Sequence, residues 1–248
     1  MGKTVLISGG SGGIGSAIAC ELAKNGYDII INYCHSKDRA FKLSEQISEE
    51  YKVKAQALYA DVSCEEDVKA MIREADREFG GVDILINNAG IDMPDLFHNK
   101  TAADFRKILD VNVVGAYLLA KEVYPHMKEQ EYGRIINISS TNGINTYYPM
   151  CFDYDASKAA LNSLTHNLAL QFAPYVNVNA IAAGFIGTEN ELSGYDEQFL
   201  KSECEKILVG RYGKPQEVAY LVRFLISAEA DFINNSIIRL DGGQYGSC

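Results

Sequence analysis

The sequence lacks the features that mark membrane, metal-binding and nucleic-acid-binding proteins. No apolar run approaches a membrane span of about 20 residues. No strong basic run offsets a net charge of −10, which argues against nucleic acid and anionic membranes as partners. The cysteines show no paired metal-ligand spacing; they are Cys20, Cys34, Cys64, Cys151, Cys204 and Cys248. We expect no metal site and six reduced thiols in a cytoplasmic protein.

Internal repeats, low-complexity tracts and Pro/Gly-rich linkers are also absent. The chain has 248 residues, of which 47% are hydrophobic and 23% charged. That is enough for one α/β domain with a substantial core. The first residues lead directly into Val5-Leu6-Ile7, without the h-region and cleavage site of a signal peptide. We expect a single domain over residues 1–248 and no secretion signal.

Short apolar runs alternate with longer amphipathic stretches. The runs predict strands at 4–8, 28–32, 53–60, 84–87, 134–139, 176–181 and 236–240. The stretches predict helices near 13–25, 38–50, 65–78, 101–128, 152–172 and 215–227. The runs at 29–31 and 84–86 contain no polar residue, as in strands buried on both faces. The pattern predicts an α/β fold: one doubly wound, Rossmann-like domain with a parallel seven-stranded sheet and helices on both faces.

One polar, acidic stretch, residues 189–205, interrupts this alternation. A long excursion after a strand of a compact domain is often a lid that closes over a ligand. We therefore expect a substrate lid here. A solvated surface helix is the alternative.

A glycine-rich turn, Ser8-Gly9-Gly10-Ser11-Gly12-Gly13-Ile14-Gly15, connects the first predicted strand to the first predicted helix. Glycines in this context let the backbone approach a pyrophosphate, which then sits on the helix N-terminus. Two spacings fit, Gly10-x-Gly12-x-x-Gly15 and Gly9-x-x-x-Gly13-x-Gly15. The turn predicts dinucleotide binding.

The second predicted strand ends in Asn32-Tyr33-Cys34-His35-Ser36-Lys37. This stretch lacks the carboxylate that would hold an adenosine ribose 2′-hydroxyl. Hydroxyl-bearing and basic side chains suit a 2′-phosphate better. We expect NADP(H) to be favoured over NAD(H), with Tyr33 and His35 close to the cofactor.

Tyr154-Asp-Ala-Ser-Lys158 can place a general acid and a cation on one helical face, because residues four apart lie one above the other. A free phenol, with a pKa of about 10, is a poor proton shuttle at neutral pH. A nearby ammonium favours the phenolate and lowers that pKa. The same pattern also occurs by chance on solvated helices, so other motifs must support it.

Several motifs, ordered along the whole chain, resemble those of the short-chain dehydrogenase/reductase family. The Gly9-x-x-x-Gly13-Ile14-Gly15 turn is similar to the family's cofactor turn, Asp61-Val62 to its adenine-contacting pair, and Asn87-Asn88-Ala89-Gly90 to its sheet-stabilising signature. The catalytic tetrad is matched by Asn112, Ser140, Tyr154 and Lys158. The residues expected to contact the cofactor are Gly9, Ser11, Gly13, Ile14, Gly15, Tyr33, His35, Asp61, Val62, Asn88, Ala89, Gly90, Tyr154, Lys158, Gly184, Ile186 and Thr188.

The resemblance implies a role for each residue of the tetrad. Tyr154 would protonate a carbonyl oxygen while the nicotinamide delivers hydride to the carbon. Lys158 would lower the tyrosine pKa and hold the nicotinamide ribose. Ser140 would hydrogen-bond the developing alkoxide, and Asn112 would anchor a water that passes protons. Thr188 would hold the carboxamide or the phosphates of the cofactor.

Single positions leave alternatives open. Ser139 and Thr141 flank Ser140, and strand alternation lets only one of the two serines face the site. Asn112 could instead cap or bend its helix. Ala183-Gly184 stands where the family usually has Pro-Gly, which predicts a looser loop and modestly weaker cofactor binding.

Within the family the chain looks like the 3-oxoacyl-acyl-carrier-protein reductases. We expect an NADPH-dependent carbonyl reductase, with 3-oxoacyl thioesters among its possible substrates. Acyl carrier protein is a doubtful partner, since residues 128–132 and 171–175 lack the basic clusters of those reductases and the chain is acidic. The alternatives are a dehydrogenase of a sugar, steroid or other small-molecule alcohol, and a non-catalytic dinucleotide-binding regulator.

The region before the catalytic tyrosine is rich in aromatic and soft side chains at 147–150 and 152. They suit an apolar or ring-bearing ketone at the pocket mouth, or equally an oligomer contact or loop core. The family resemblance also implies a homotetramer, or failing that a dimer. Its interface would involve the predicted helices around 101–128 and 152–172.

Overall fold

The apolar runs form a single parallel sheet in the computed structural model, which describes residues 2–245 apart from the side chain of Asn190. The order of strands in the sheet is β3-β2-β1-β4-β5-β6-β7. The strands are β1 Thr4–Ile7, β2 Asp28–Tyr33, β3 Ala55–Tyr59, β4 Ile84–Asn87, β5 Gly133–Ser140, β6 Val176–Ala183 and β7 Ile237–Leu240. This confirms the predicted fold class.

The helices follow the strands in the predicted alternation. They are α1 Gly13–Lys24, α2 Lys37–Tyr51, α3 Glu65–Phe79, α4 Ala102–Leu109, α5 Gly115–Glu129, α6 Phe152–Phe172, α7 Glu189–Gly194, α8 Glu197–Glu205 and α9 Pro215–Leu225. Among the described residues, strand and helix boundaries differ from the prediction by no more than two residues, except in the two regions treated below.

The sheet is buried on both faces, as its unbroken apolar runs predict. In β2, Ile29 and Ile31 pack into a core formed with α1, α2 and α9. Ile30, between them, faces the opposite core formed with α3, α5 and α6. Successive side chains of a strand point to opposite faces, so a strand covered on both sides needs apolar residues at every position.

Two helical regions differ from the prediction. The single helix predicted at 101–128 is wrong, because a π-helical turn at Asp110–Val114 separates α4 from α5. The acidic stretch 189–205, for which a lid and a solvated surface helix were both left open, forms two short helices, α7 and α8. Apolar periodicity does not reveal this π turn, because it is a single turn of five residues, too short to be recognised in the pattern.

Five cysteines, Cys20, Cys34, Cys64, Cys151 and Cys204, are free thiols, while Cys248 lies outside the described residues. Over residues 2–245, no helix combines the length and apolarity that crossing a membrane requires. No group of three or more His, Cys, Asp or Glu side chains in that range could hold a metal ion.

The order of the strands places a crevice at the centre of the sheet. β1 pairs with β2 on one side and with β4 on the other, so the connections from these strands run in opposite directions. Ligands of open α/β sheets bind at such a switch point, beyond the carboxyl ends of the strands. The glycine-rich turn follows β1 here, and Ser140 ends β5 along the same edge.

Candidate active site

The glycine-rich turn requires glycine at four positions, Gly9, Gly10, Gly13 and Gly15. Gly9 and Gly13 have φ angles of +59° and +46°, a region that residues with a Cβ rarely adopt. A Cβ on Gly15 would lie 2.6 Å from the carbonyl oxygen of Gly9. Gly12 has a φ of −130° and open space around it. A Cβ on Gly10 would lie 2.9 Å from the backbone oxygen of Ile7, so Gly12 alone is unconstrained in the alternative spacing. The backbone therefore favours the Gly9, Gly13, Gly15 spacing, in which every glycine is required.

Ser8 ties this turn to the end of β4. Its Oγ accepts hydrogen bonds of 2.9 Å from the backbone N–H groups of both Asn88 and Ala89. The Asn88 side chain donates to the carbonyl oxygens of Ser8 and Gly9, at 3.0 and 3.1 Å. Next to this junction, a Cβ on Gly90 would lie 3.6 Å from Nζ of Lys158. The glycine turn and the lysine therefore line one crevice.

At the end of β2, the two residues expected to contact the cofactor, Tyr33 and His35, differ in their exposure to solvent. The ring of Tyr33 is buried against Phe41 and Tyr59, with ring centroids 5.9 Å apart in each pair. His35 is exposed. Tyr33 thus contributes its ring to the core, whereas His35 is accessible to a ligand.

Asp61 and Val62 lie just beyond β3. Asp61 Oδ1 accepts hydrogen bonds from Ser63, 2.9 Å from its backbone N and 2.6 Å from its Oγ. These bonds orient the carboxylate. Val62 is buried against Gly115, where a Cβ would lie 2.8 Å from Val62 Cγ2. Val62 thereby fixes this loop to the start of α5.

Helix α6 brings Tyr154 and Lys158 to the crevice on successive turns. Lys158 is only 4% exposed, and its Nζ lies 5.4 Å from the centroid of the Tyr154 ring. Nζ donates a hydrogen bond of 2.9 Å to the backbone oxygen of Ile138. A buried ion pair between Lys100 and Asp153 anchors the first turn of the helix. The expected juxtaposition of phenol and ammonium is therefore present.

Ser140 faces Tyr154, and the interaction between the two hydroxyls lowers the pKa of Tyr154. Ser139 is buried, and its Oγ donates instead to the backbone oxygen of Lys158 at 3.4 Å. Thr141 is buried as well. Strand alternation therefore turns Ser140, and not Ser139, towards the tyrosine.

Asn112 lies in the π-helical turn between α4 and α5 and is 1% exposed. Its Oδ1 accepts a hydrogen bond of 2.8 Å from the backbone N of Ile91. Its Nδ2 donates at 3.0 Å to both the Ile91 oxygen and Ser157 Oγ. The residue thus lies where the helix is distorted and also joins the loop after β4 to α6. π turns are frequent at functional sites.

The segment after β6 forms the opposite wall of the crevice. Thr188 caps α7, and its Cγ2 would lie 3.1 Å from a Cβ on Gly13. Gly184 approaches Gln244 so closely that a Cβ there would lie 2.6 Å from Oε1. Ile186 is buried. The glycine turn and the Thr188 loop therefore face each other at van der Waals distance.

These walls enclose a cleft of about 610 Å³. Nine of its lining residues are expected cofactor or catalytic residues: Ile14, Asn88, Gly90, Ser140, Tyr154, Lys158, Gly184, Ile186 and Thr188. Ser11 is buried within the turn. The cleft runs from the N-terminus of α1 to the Tyr154 hydroxyl, which suits an elongated ligand with a phosphate group at one end.

Electrostatics at the tyrosine differ from the expectation. Desolvation raises the pKa of Tyr154, and the charges of Asp92 and Glu191 raise it further, while the Ser140 hydrogen bond lowers it. Burial lowers the pKa of Lys158 to about 8. In the cofactor-free protein, burial therefore outweighs any lowering of the Tyr154 pKa by the ammonium.

Two carboxylates in the cleft were not identified from the sequence. Asp92 and Glu191 both line it, from the loop after β4 and from α7. Partial desolvation within the cleft raises the pKa of each, and the charge of Asp92 also raises that of Glu191. Nothing in the local sequence marks them, because only the folded loops bring both of them near Tyr154.

Cys151 is held as a neutral thiol. Its Sγ donates to Asp92 Oδ2 at 3.4 Å, and burial together with that carboxylate raises the pKa of the thiol to about 12. Nucleophilic cysteines need the thiolate. Cys151 therefore supplies no covalent chemistry at neutral pH.

Comparison with known proteins agrees with this site. The family model described as enoyl-(acyl carrier protein) reductase matches residues 9–244. The chain is a short-chain dehydrogenase/reductase. Over 98% of both chains it is 37% identical to a 3-oxoacyl-[acyl-carrier-protein] reductase FabG of Aquifex aeolicus. It is 35% identical to glucose 1-dehydrogenase 2 of Bacillus subtilis, covering 98% of this chain and 95% of that protein.

Among solved structures, this short-chain dehydrogenase/reductase resembles a 7α-hydroxysteroid dehydrogenase complexed with NADH and 7-oxo glycochenodeoxycholic acid. The TM-score is 0.93 at 31% identity, covering 98% of this chain and 94% of the other. Relatives of similar distance thus act on a carrier-bound acyl group, a sugar and a steroid. The family is that of oxidoreductases acting on CH–OH and C=O groups with a nicotinamide dinucleotide. Membership alone does not select the substrate.

Proposed function

We propose that the protein is an NADP(H)-dependent carbonyl reductase for small, uncharged ketones, able to oxidise the corresponding alcohols in reverse. The observation that carries the proposal is the Ser140–Tyr154 hydroxyl pair, with Lys158 beside it, in a cleft that also contains two carboxylates. The bound dinucleotide would supply the hydride. The chain's own residues would bind the ketone and deliver the proton.

In the forward direction, the C=O double bond becomes a C–H and an O–H bond. Tyr154 gives its phenolic proton to the carbonyl oxygen as the carbon is reduced, and Ser140 hydrogen-bonds the same oxygen. Lys158, charged below a pKa of about 8, stabilises the resulting phenolate. Asn112 anchors the loop at Ile91 and would hold the water that returns a proton to Tyr154. The reverse reaction follows the same steps backwards.

The cofactor preference rests on the end of β2. No carboxylate occupies the stretch from Tyr33 to Lys37, and the exposed Lys37 and His35 are nearby donors. A 2′-phosphate needs such donors, whereas a 2′-hydroxyl is usually held by an acid. We therefore propose NADP(H) over NAD(H).

The substrate proposal rests on the charge and polarity of the cleft. Asp92 and Glu191 are exposed to its interior, and apolar groups of Ile91, Met150 and Phe199 line the remainder. Two unit charges about 4 Å apart near a protein surface repel by up to about 4 kcal/mol. Carboxylates also accept hydrogen bonds from substrate hydroxyls. A neutral, hydroxyl-bearing or ring ketone fits these features better than an anionic thioester on an acidic carrier.

Three broader features belong to the same proposal. α7 and α8 would act as a lid, since Glu191, Tyr195 and Phe199 line the cleft from above. A homotetramer is supported by the exposed Tyr117 of α5 and Leu170 of α6, which are 45% and 72% exposed. We also propose a cytoplasmic location, in keeping with the free thiols.

Acetoacetate and methyl acetoacetate test the substrate class, because they share one ketone and differ by one negative charge. We expect a faster rate of NADPH oxidation with the ester than with the acid. We also expect a faster rate with NADPH than with NADH. Asp92→Asn combined with Glu191→Gln should improve kcat/KM for the acid about fivefold or more, and leave that for the ester within about twofold.

Glu129→Gln is the matched control, since it neutralises an exposed acid at the far end of α5. Acetoacetyl-CoA is measured in parallel. Faster turnover of the thioester than of the ester would overturn the neutral-ketone class and leave a 3-oxoacyl reductase. An equal response of acid and ester to the double substitution would show that the two carboxylates do not select for charge.

A further inference from the structure

Ser140 is held by a residue that the expected tetrad does not include. Asn142, in the short 3-10 turn that follows β5, makes two hydrogen bonds with it. Ser140 Oγ donates to Asn142 Oδ1 at 3.0 Å, and the Asn142 backbone N donates to Ser140 Oγ at 3.2 Å. All these atoms belong to residues that line the cleft.

Asp155 sets which end of the Asn142 amide faces Ser140. Asn142 Nδ2 donates to Asp155 Oδ1 at 2.6 Å, and the backbone N of Tyr148 donates to Asp155 Oδ2 at 3.3 Å. An ionised carboxylate can only accept hydrogen bonds, so the NH2 end of the amide must face it. The oxygen end is then left to accept the proton of Ser140. Asp155 is 8% exposed, which shields this arrangement from water.

Asn142 thereby takes up two of the three hydrogen bonds that Ser140 can make. A hydroxyl offers one proton and two lone pairs. Ser140 donates its proton in a hydrogen bond to Asn142 Oδ1, and one lone pair accepts the Asn142 N–H. Tyr154 lies beside Ser140, and the interaction between the two hydroxyls lowers the pKa of Tyr154. In the resting protein, the Ser140 hydroxyl is therefore directed at Asn142 Oδ1.

We propose that Asp155 and Asn142 form a positioning pair that holds Ser140 Oγ in place and directs its proton. This inference rests on the proposed carbonyl reduction. Asn142 Oδ1 is a neutral acceptor, and a developing alkoxide is a stronger one. The Ser140 hydroxyl therefore donates its hydrogen bond to Asn142 until negative charge develops on the substrate oxygen. It then donates that hydrogen bond to the substrate oxygen. Neither Asn142 nor Asp155 touches the reacting atoms.

A double-mutant cycle with Ser140→Ala tests the pair. We expect Asn142→Ala to lower kcat about 10- to 100-fold in the parent, the range that follows from displacing a catalytic group by about 1 Å. In the Ser140→Ala background the same change should cost less than about twofold, because the hydroxyl it positions is absent. KM and NADPH affinity should change little. An equal loss in both backgrounds, or no loss in the parent, would overturn the proposal.

Asn145→Ala is the matched control, because Asn145 is an exposed asparagine in the same segment. We expect it to keep parental kcat. Asp155→Asn, which keeps the shape but removes the obligate acceptor, should give an intermediate loss of about 3- to 10-fold. A loss in Asn145→Ala equal to that in Asn142→Ala would assign the effect to the loop as a whole and contradict the pair.

A second measurement does not depend on turnover. The side-chain NH2 signals of Asn142 can be assigned by NMR from their loss in Asn142→Ala. We expect them to shift in both Asp155→Asn and Ser140→Ala, and to stay unchanged in Asn145→Ala. Unchanged signals in Asp155→Asn would contradict the pair, whatever the enzyme reduces. If the parent protein binds NADPH but reduces no ketone, the proposed function is refuted. The NH2 signals would still show whether Asp155 and Asn142 form the proposed pair.

Discussion

Tyr154→Phe is expected to lower kcat for ketone reduction about 10³-fold while NADPH binds within about twofold of the parent affinity. The substitution removes only the phenolic oxygen, which carries the proton and interacts with the Ser140 hydroxyl. The ring, which lies against Lys158, is retained. Because proton delivery and cofactor binding use different atoms, the loss should fall on kcat. Steady-state rates and NADPH fluorescence titration measure the two quantities separately.

The control is a variant that removes a tyrosine hydroxyl far from the cleft. Tyr220 on α9 is 49% exposed, and Tyr220→Phe should retain full activity. Residual activity of Tyr154→Phe within about tenfold of the parent would show that another group supplies the proton. If Tyr154→Phe lost no rate at all, the result would agree with a non-catalytic, dinucleotide-binding role. The presence of Ser140 beside Tyr154 argues against that role.

Lys158→Met is expected to abolish activity and yet stabilise the cofactor-free protein at pH 7. Burial lowers the pKa of Lys158 from its usual value of 10.5 to about 8. Keeping a proton on the buried amine at pH 7 therefore costs folding free energy, at about 1.4 kcal/mol per pKa unit. Loss of the hydrogen bond to the Ile138 oxygen offsets about 1 kcal/mol. We expect a net gain of about 1 to 3 kcal/mol in unfolding free energy.

The pH dependence of the unfolding free energy gives an independent test of the lowered pKa of Lys158. Between pH 8 and 10.5 the unfolded chain keeps the lysine proton that the folded protein has lost. Unfolding free energy must therefore rise with pH over this window in the parent, relative to Lys158→Met. Urea unfolding at pH 7 and pH 9.5 measures both effects. A difference between the two proteins that does not change with pH would contradict a lowered lysine pKa.

The fold could be predicted because its main determinant is local. Runs such as residues 29–31 and 84–86 are apolar at every position, and only strands covered on both faces need that. The proximity of Tyr154 and Lys158 was equally predictable, since one helical turn separates them. Strand alternation also showed that only one of Ser139 and Ser140 could face the site, and the family resemblance selected Ser140. In each case the relevant neighbours are close in the sequence.

The remaining features depend on tertiary contacts. The π turn at Asn112 leaves no trace in apolar periodicity. Asp92 and Glu191 meet only over the folded cleft, and Asn142 meets Asp155 only after the loop between β5 and α6 closes. The direction of the Tyr154 pKa shift was also missed. Sequence spacing shows a neighbouring ammonium but not the desolvation that outweighs it.

The central claim is that this cleft transfers hydride from NADPH to a ketone carbon while Tyr154 supplies the proton. The test uses NADPH in which both hydrogens on C4 of the nicotinamide are replaced by deuterium, with methyl acetoacetate as the ketone. The product is measured by mass spectrometry. We predict one deuterium on the new carbinol carbon, and loss of labelled product in Tyr154→Phe. An unlabelled alcohol, or equal labelling by Tyr154→Phe, would contradict the account.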